Sequence, residues 1–165
     1  MKLDSVRTVF RALDAAGVRF LVAGGLAVNV HGVHRFTKDI DLVIDLDPEN
    51  VLRAFAALGE VGYRPSVPIR PEQMADPEIR EALVEEKGMQ VLQFWSDQHR
   101  ETPIDVFVRE PFPFADEYAR QVERELPGTS PVRFVSRDTL IAMKREAGRP
   151  RDLADIEDLQ LLENP

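Results

Sequence analysis

The stretch "KDIDLVID", residues 38–45, places Asp39 and Asp41 among Ile40, Leu42, Val43 and Ile44. Its alternation and β-branched residues predict a strand over 39–45. Successive side chains on a strand point to opposite faces, so Asp39 and Asp41 share one face while Ile40, Leu42 and Ile44 share the other. Two carboxylates ~7 Å apart on a partly desolvated sheet face repel one another and lose hydration. A positive partner is required, and Lys38 points away by the same alternation. A divalent cation is the simpler partner, and magnesium suits carboxylate oxygens combined with substrate phosphates.

A second run, "PIDVFV" at 103–108, repeats the anomaly. Ile104, Val106 and Val108 share one face and Asp105 takes the other. If the two strands are neighbours, three carboxylates meet, which is the outline of a two-metal site with ions ~3.5–4 Å apart. Upstream, Gly24-Gly25 lies between a predicted buried strand, "VRFLVA" at 18–23, and a short helix at 25–32. Glycines there let backbone N–H groups approach an anion closely. Asp45 and Asp47 continue the face of Asp39 and Asp41 but have plainer explanations. Asp45 sits at the strand's solvated end, and Asp47-Pro48 forms an N-cap with proline at the first helical position, opening a helix through Leu58.

The remaining pattern predicts a helix over 3–16 ended by Gly17, a strand in "GYRPSV", a polar helix over 71–87, and a hairpin of 89–95 with 103–109. Residues 112–126 read as either helix or edge strand. A strand over 132–135 precedes a helix capped by Ser136 and stopped by Gly148, and Pro150 opens a last helix to 162. The fold class is therefore α/β (α+β): a small mixed sheet with helices on one side and a C-terminal helix pair. One domain over 1–165 is expected, with a core at about 17–110 and the C-terminal strand and two helices at about 130–163.

Apolar residues make up 44% and charged residues 30%, as in a globular protein. No apolar run approaches the ~20 residues of a membrane span, and the N-terminus has no signal-peptide core. There are no cysteines, which excludes disulfides and thiolate chemistry. Together these give the expectation of a cytoplasmic protein. A net charge of −8 argues against a generic nucleic-acid coat. From Pro131 to Asp152, however, six basic residues stand against three acidic ones, either a solvated surface or a shelf for a phosphate-bearing substrate.

The ordered set "LVAGGLAVNVHGVHRFTKDIDLVID" with "PIDVFV" resembles the nucleotidyltransferases of the polymerase-beta superfamily, and "SRDTLIAMKREAGRPRDLADIEDL" resembles the tail of small bacterial AbiEii-like members. The resemblance implies that Asp39 and Asp41 hold magnesium, with two ions in the full site. Asp105 would complete the shell and help activate an acceptor hydroxyl, and Gly24 and Gly25 would cradle the β- and γ-phosphates of an NTP. Many relatives carry serine at the second loop position; Gly25 leaves only backbone donors there. The implied reaction transfers a nucleoside monophosphate from NTP to a hydroxyl and releases pyrophosphate. The acceptor would be RNA such as a tRNA end, a protein, or a small hydroxylated antibiotic. A toxin-antitoxin enzyme with a cognate antitoxin ranks first, and an aminoglycoside-type enzyme or a silent nucleotide-binding module are the alternatives.

Arg35, Thr37 and Lys38 lie in the turn before the first aspartate, where Arg35 or Lys38 would clamp a triphosphate. Lys144 would reach nucleotide phosphate, as the resemblance implies. Arg151-Asp152 would pin the last two helices together, and Asp152 and Asp155 would serve that helix's N-terminus. His31, His34 and His99 are a less favoured metal trio, since Gly32 interrupts the helix that would align the first two.

Overall fold

Short apolar runs separated by glycine and proline become strands of one mixed sheet in the computed structural model, which describes residues 1–162. The elements run α1 (Leu3–Ala15), β1 (Phe20–Val22), α2 (Gly24–Val30), β2 (Ile40–Ile44), α3 (Pro48–Glu60), β3 (Arg64–Pro65), α4 (Pro71–Ala75), α5 (Pro77–Lys87), β4 (Val91–Trp95), β5 (Ile104–Phe107), α6 (Phe114–Ala119), β6 (Val122–Arg124), β7 (Val132–Phe134), α7 (Arg137–Ala147) and α8 (Pro150–Leu161). The strand order is β3-β4-β5-β2-β1-β7-β6. The last three residues of the expected 1–165 domain lie outside the described residues.

β2 is the pivot. It pairs antiparallel with β1, Val22 opposite Leu42, and parallel with β5, Ile40 opposite Ile104 and Leu42 opposite Val106. Parallel neighbours need a long crossover, and α3 to α5 with β3 and β4 supply it. The expected hairpin of β4 with β5 is present and antiparallel. Ile40, Leu42, Ile104 and Val106 are buried, and so is Val43 on the aspartate side. Both faces of β2 are thus covered at Val43. Helices α1, α3 and α4 pack in one group, while α2 packs on β2 and α7, and α7 packs on α8.

Two expectations need correction. The run 71–87 is two helices, because the Asp76 side chain accepts from the Glu78 and Ile79 N–H groups and Pro77 opens α5. Helical periodicity carries across this point, but proline cannot donate to the preceding turn. The ambiguous stretch 112–126 is both helix and strand, α6 followed by β6. Elsewhere local chemistry behaves as read. Asp47 caps α3, Ser136 caps α7, and Gly148 ends α7 in the left-handed region at φ 61°. Asp45 is not merely solvated: it forms an ion pair with Arg19 at 2.6 Å.

A buried carboxylate joins α6 to α7. Glu117 is 1% exposed and accepts from the Ser136 N–H and the Thr139 hydroxyl, each at 2.6 Å. Arg120 adds a third donor at 3.1 Å. Removing the acceptor strands donors at the start of α7. Glu117→Ala is therefore expected to lower unfolding free energy by about 1–3 kcal/mol, measured by urea denaturation.

Candidate active site

Asp41 and Asp105 are register partners on parallel neighbouring strands, so they stand side by side on one face of the sheet. Asp39 lies two residues earlier, just ahead of β2. Gln93 on β4 is the next partner in the same row, and its side-chain amide donates to Asp105 Oδ1 at 3.3 Å. A cavity of about 400 Å³ opens over this row. All three aspartates line it, and so do Gly24, Gly25, Arg35, Lys38 and Lys144. Every residue singled out for the site from sequence is thus brought to one place.

The electrostatics match the crowding. Burial pushes the Asp41 carboxyl up to about 6, and the negative charges of Asp105 and Asp39 add to it. A hydrogen bond from the Gly25 N–H and the charge of Lys144 act in the opposite direction. Burial also raises Asp105, with Asp39 contributing, while the Gln93 hydrogen bond opposes the rise. As the side chains stand, no group of three or more His, Asp or Glu among the described residues is arranged to hold a metal ion. The histidine trio does not form: His31 Nε2 lies 2.8 Å from the Val135 carbonyl and His99 Nδ1 lies 2.9 Å from the Ser5 hydroxyl.

The two glycines answer different demands. Gly24 has φ +58°, and a Cβ there would overlap the Asp41 carboxylate. Its backbone shape and the space around it both exclude a side chain. Gly25 has ordinary torsions, but a Cβ would lie 2.6 Å from Thr37 Cβ and 3.0 Å from Arg35 Nη2.

The C-terminal helices close the cavity through an ion cluster. Lys144 is 5% exposed, and its Nζ lies 2.6 Å from Asp155 Oδ2 and 3.2 Å from Asp152 Oδ1. Arg149 Nε donates to Asp152 Oδ2 at 2.6 Å. Arg35 Nε stands 2.9 Å from Asp155 Oδ1, an ion pair whose N–H is not aligned for a hydrogen bond. Burial alone would raise Asp152, but hydrogen bonds from Arg149 and Lys144 outweigh it and hold the carboxyl below its ordinary value. Asp152 and Asp155 are therefore the buried counter-charges of the site's cations, more than the helix-end groups expected. Asp152 does join α7 to α8, whereas Arg151 reaches back to donate to the Phe36 carbonyl. Lys38 is exposed at the rim.

Sequence reading passed over Gln93 and Phe36. Gln93 did leave a signal, since it is the polar residue in the alternation slot of "VLQFW" between Leu92 and Phe94. Phe36 is 68% exposed and lines the same cavity.

The family model described as nucleotidyl transferase AbiEii toxin, Type IV TA system, matches residues 7–163. No curated protein sequence matches significantly. The fold is similar to that of the lincosamide antibiotic adenylyltransferase LnuA bound to lincomycin, at 13% identity and TM-score 0.64, with 97% of each chain covered. It is also similar to ANT(2")-Ia in complex with adenylyl-2"-tobramycin, at 16% identity and TM-score 0.60, covering 97% of this chain and 93% of that one. An antigenic nucleotidyltransferase-like protein from Paracoccidioides brasiliensis follows at 17% identity and TM-score 0.59, covering 97% and 76%.

The raised Asp41 carboxyl has a consequence for stability. A folded-state pKa above the unfolded value means a contribution that is complete below about 3.8 and lost as pH rises through about 6. Without divalent metal at pH 7–8, Asp41→Asn should melt above the wild type, by on the order of 2–4 °C for each kcal/mol relieved. The gain should vanish below pH 4, as followed by thermal denaturation across that range.

Proposed function

We propose, for a chain that belongs to the AbiEii family of nucleotidyl transferases, that it moves a nucleoside monophosphate from an NTP to an acceptor hydroxyl at the cavity over β2 and β5, with magnesium as cofactor. The observation that carries this reading is the lateral pairing of Asp41 with Asp105, with Asp39 beside them on one cavity. The donor set suits a hard divalent ion: three carboxylates, two of them with raised pKa values through burial and mutual repulsion. Asp39 and Asp41 would hold magnesium, and Asp105 would complete the shell. When bound, magnesium would neutralise the aspartates and stabilise charge on the phosphoryl oxygens.

The chain's own residues do the rest. Asp105, whose pKa burial raises, would accept the proton of the acceptor hydroxyl as its oxygen attacks the α-phosphorus. Gln93 orients that carboxylate from the adjacent strand. The backbone of Gly24 and Gly25 lines the cavity and would cradle the β- and γ-phosphates, with the Gly25 N–H turned from Asp41 to the nucleotide once a cation neutralises that carboxylate. Arg35 and Lys38 would bring positive charge to the departing pyrophosphate. Lys144 acts as a fixed charge held between Asp152 and Asp155, close enough to Asp41 to oppose its raised pKa. No side chain needs to form a covalent intermediate, because positioning and electrostatics suffice for phosphoryl transfer.

The toxin-antitoxin setting ranks first for the acceptor, with an RNA hydroxyl such as a tRNA end, or a hydroxyl of a partner protein, and a cognate antitoxin as regulator. The family's description supports the toxin-antitoxin setting. The basic segment 131–152 supports an RNA shelf less than its charge suggests, because Arg133, Lys144, Arg149 and Arg151 are engaged within the chain. A small hydroxylated antibiotic is the second reading. It is favoured by the fold neighbours with lincomycin and adenylyl-tobramycin bound, and by the acidic net charge, which suits a cationic drug.

Purified protein with magnesium and α-labelled NTPs is expected to label tRNA or a partner protein more than tobramycin or lincomycin. Label on the drug alone would establish the second reading, and no label on any acceptor would leave a silent nucleotide-binding module. Asp39→Asn, Asp41→Asn and Asp105→Asn should each lower the rate at least ~100-fold while remaining folded by circular dichroism. A chelator should abolish labelling and excess magnesium should restore it.

A further inference from the structure

The space above Gly25 is taken by Thr37. A Cβ at position 25 would lie 2.6 Å from Thr37 Cβ and would also overlap the Thr37 hydroxyl, while Arg35 Nη2 stands 3.0 Å from the same point. Because the torsions of Gly25 suit any residue, crowding by Thr37 accounts for the glycine. The Thr37 side chain thus occupies the volume that a side chain at position 25 would fill. It is half-buried and lines the same cavity as Asp39, Asp41 and Asp105.

Its hydroxyl makes no hydrogen bond to any group among the described residues. The hydroxyl is open to the cavity and not sealed in the core, so a ligand there can reach it. The carboxylates nearby can only accept, and the Thr37 hydroxyl donates to none of them. The donor is left facing the cavity, next to the Arg35 guanidinium and over the Gly25 backbone. A donor and a cation at one point suit an anionic oxygen.

We propose that the Thr37 hydroxyl is a ligand of the NTP's triphosphate, supplying from the loop before β2 the side-chain donor that Gly25 lacks. This rests on the cavity being the NTP site. Thr37 and Gly25 then form a reciprocal pair: one hydroxyl fits above this backbone, and it can come from either position but not from both.

The test moves the hydroxyl. Binding of each NTP and of inorganic tripolyphosphate, with magnesium, is measured calorimetrically on the full chain. Thr37→Val removes the donor at nearly constant shape and should weaken NTP and tripolyphosphate alike by about tenfold or more, as for loss of a hydrogen bond to a charged group. Thr37→Ser should bind as the wild type does. Gly25→Ser alone should lose affinity through overlap, and Gly25→Ser with Thr37→Gly, which removes the Thr37 Cβ as well as the hydroxyl, should recover most of it. Melting curves confirm that each variant is folded. If Thr37→Val binds NTP as tightly as the wild type, or if the double variant is no better than Gly25→Ser, the assignment of Thr37 is wrong and the NTP site stands. If the wild type binds neither NTP nor tripolyphosphate while remaining folded, the reading of the cavity itself falls, and this assignment with it.

Discussion

Everything at the site depends on holding the Asp41 carboxylate where it is least comfortable. It lies partly out of water, beside Asp105 on the next strand, and tight against the backbone of Gly24. The sheet imposes the first two conditions, because a parallel register places equivalent side chains next to one another. The strand-to-helix turn imposes the third, through a glycine that leaves no room for a side chain. Crowded acids of this kind are characteristic of functional sites, and here they concentrate negative potential on the cavity.

The opposite charges are arranged with equal care. Lys144 is withdrawn from solvent and fixed between two aspartates of α8, which themselves receive Arg149 and Arg35. The result is an alternating cluster running from α7 across α8 to the loop before β2. Its individual pairs need not stabilise the fold much, since desolvation offsets attraction inside a protein. Their effect is geometric: they fix Lys144, Arg149 and Arg35 on Asp152 and Asp155, so that these cations do not collapse onto Asp39, Asp41 and Asp105.

Much of this was legible in the sequence where the signal is local. An acid in an apolar strand is conspicuous, and Asp39, Asp41 and Asp105 all announced themselves that way. The caps at Asp47 and Ser136 and the stop at Gly148 follow from short-range chemistry. The break at Asp76-Pro77 carries the same cap-and-proline signature as Asp47-Pro48, but an unbroken polar helical period across it masked the boundary. What could not be read is what distance in the chain conceals. That β5 lies beside β2, across a crossover of three helices and two strands, leaves no trace in either segment. Lys144 is tied to the site only through the family resemblance, because a lysine on a polar helix is usually exposed. Its burial depends on Asp152 and Asp155 from another helix. Thr37 reads as a turn residue until the emptiness above Gly25 is seen to be filled.

The alternating cluster also limits how pieces of such proteins can be exchanged. A chimera that grafted a relative's last two helices onto this sheet would carry the lysine and its two acids across together, but would leave Arg35 facing whatever replaced Asp155. Loop and helix pair form a single heritable module, and recombination that respects secondary-structure boundaries alone would cut through the middle of it.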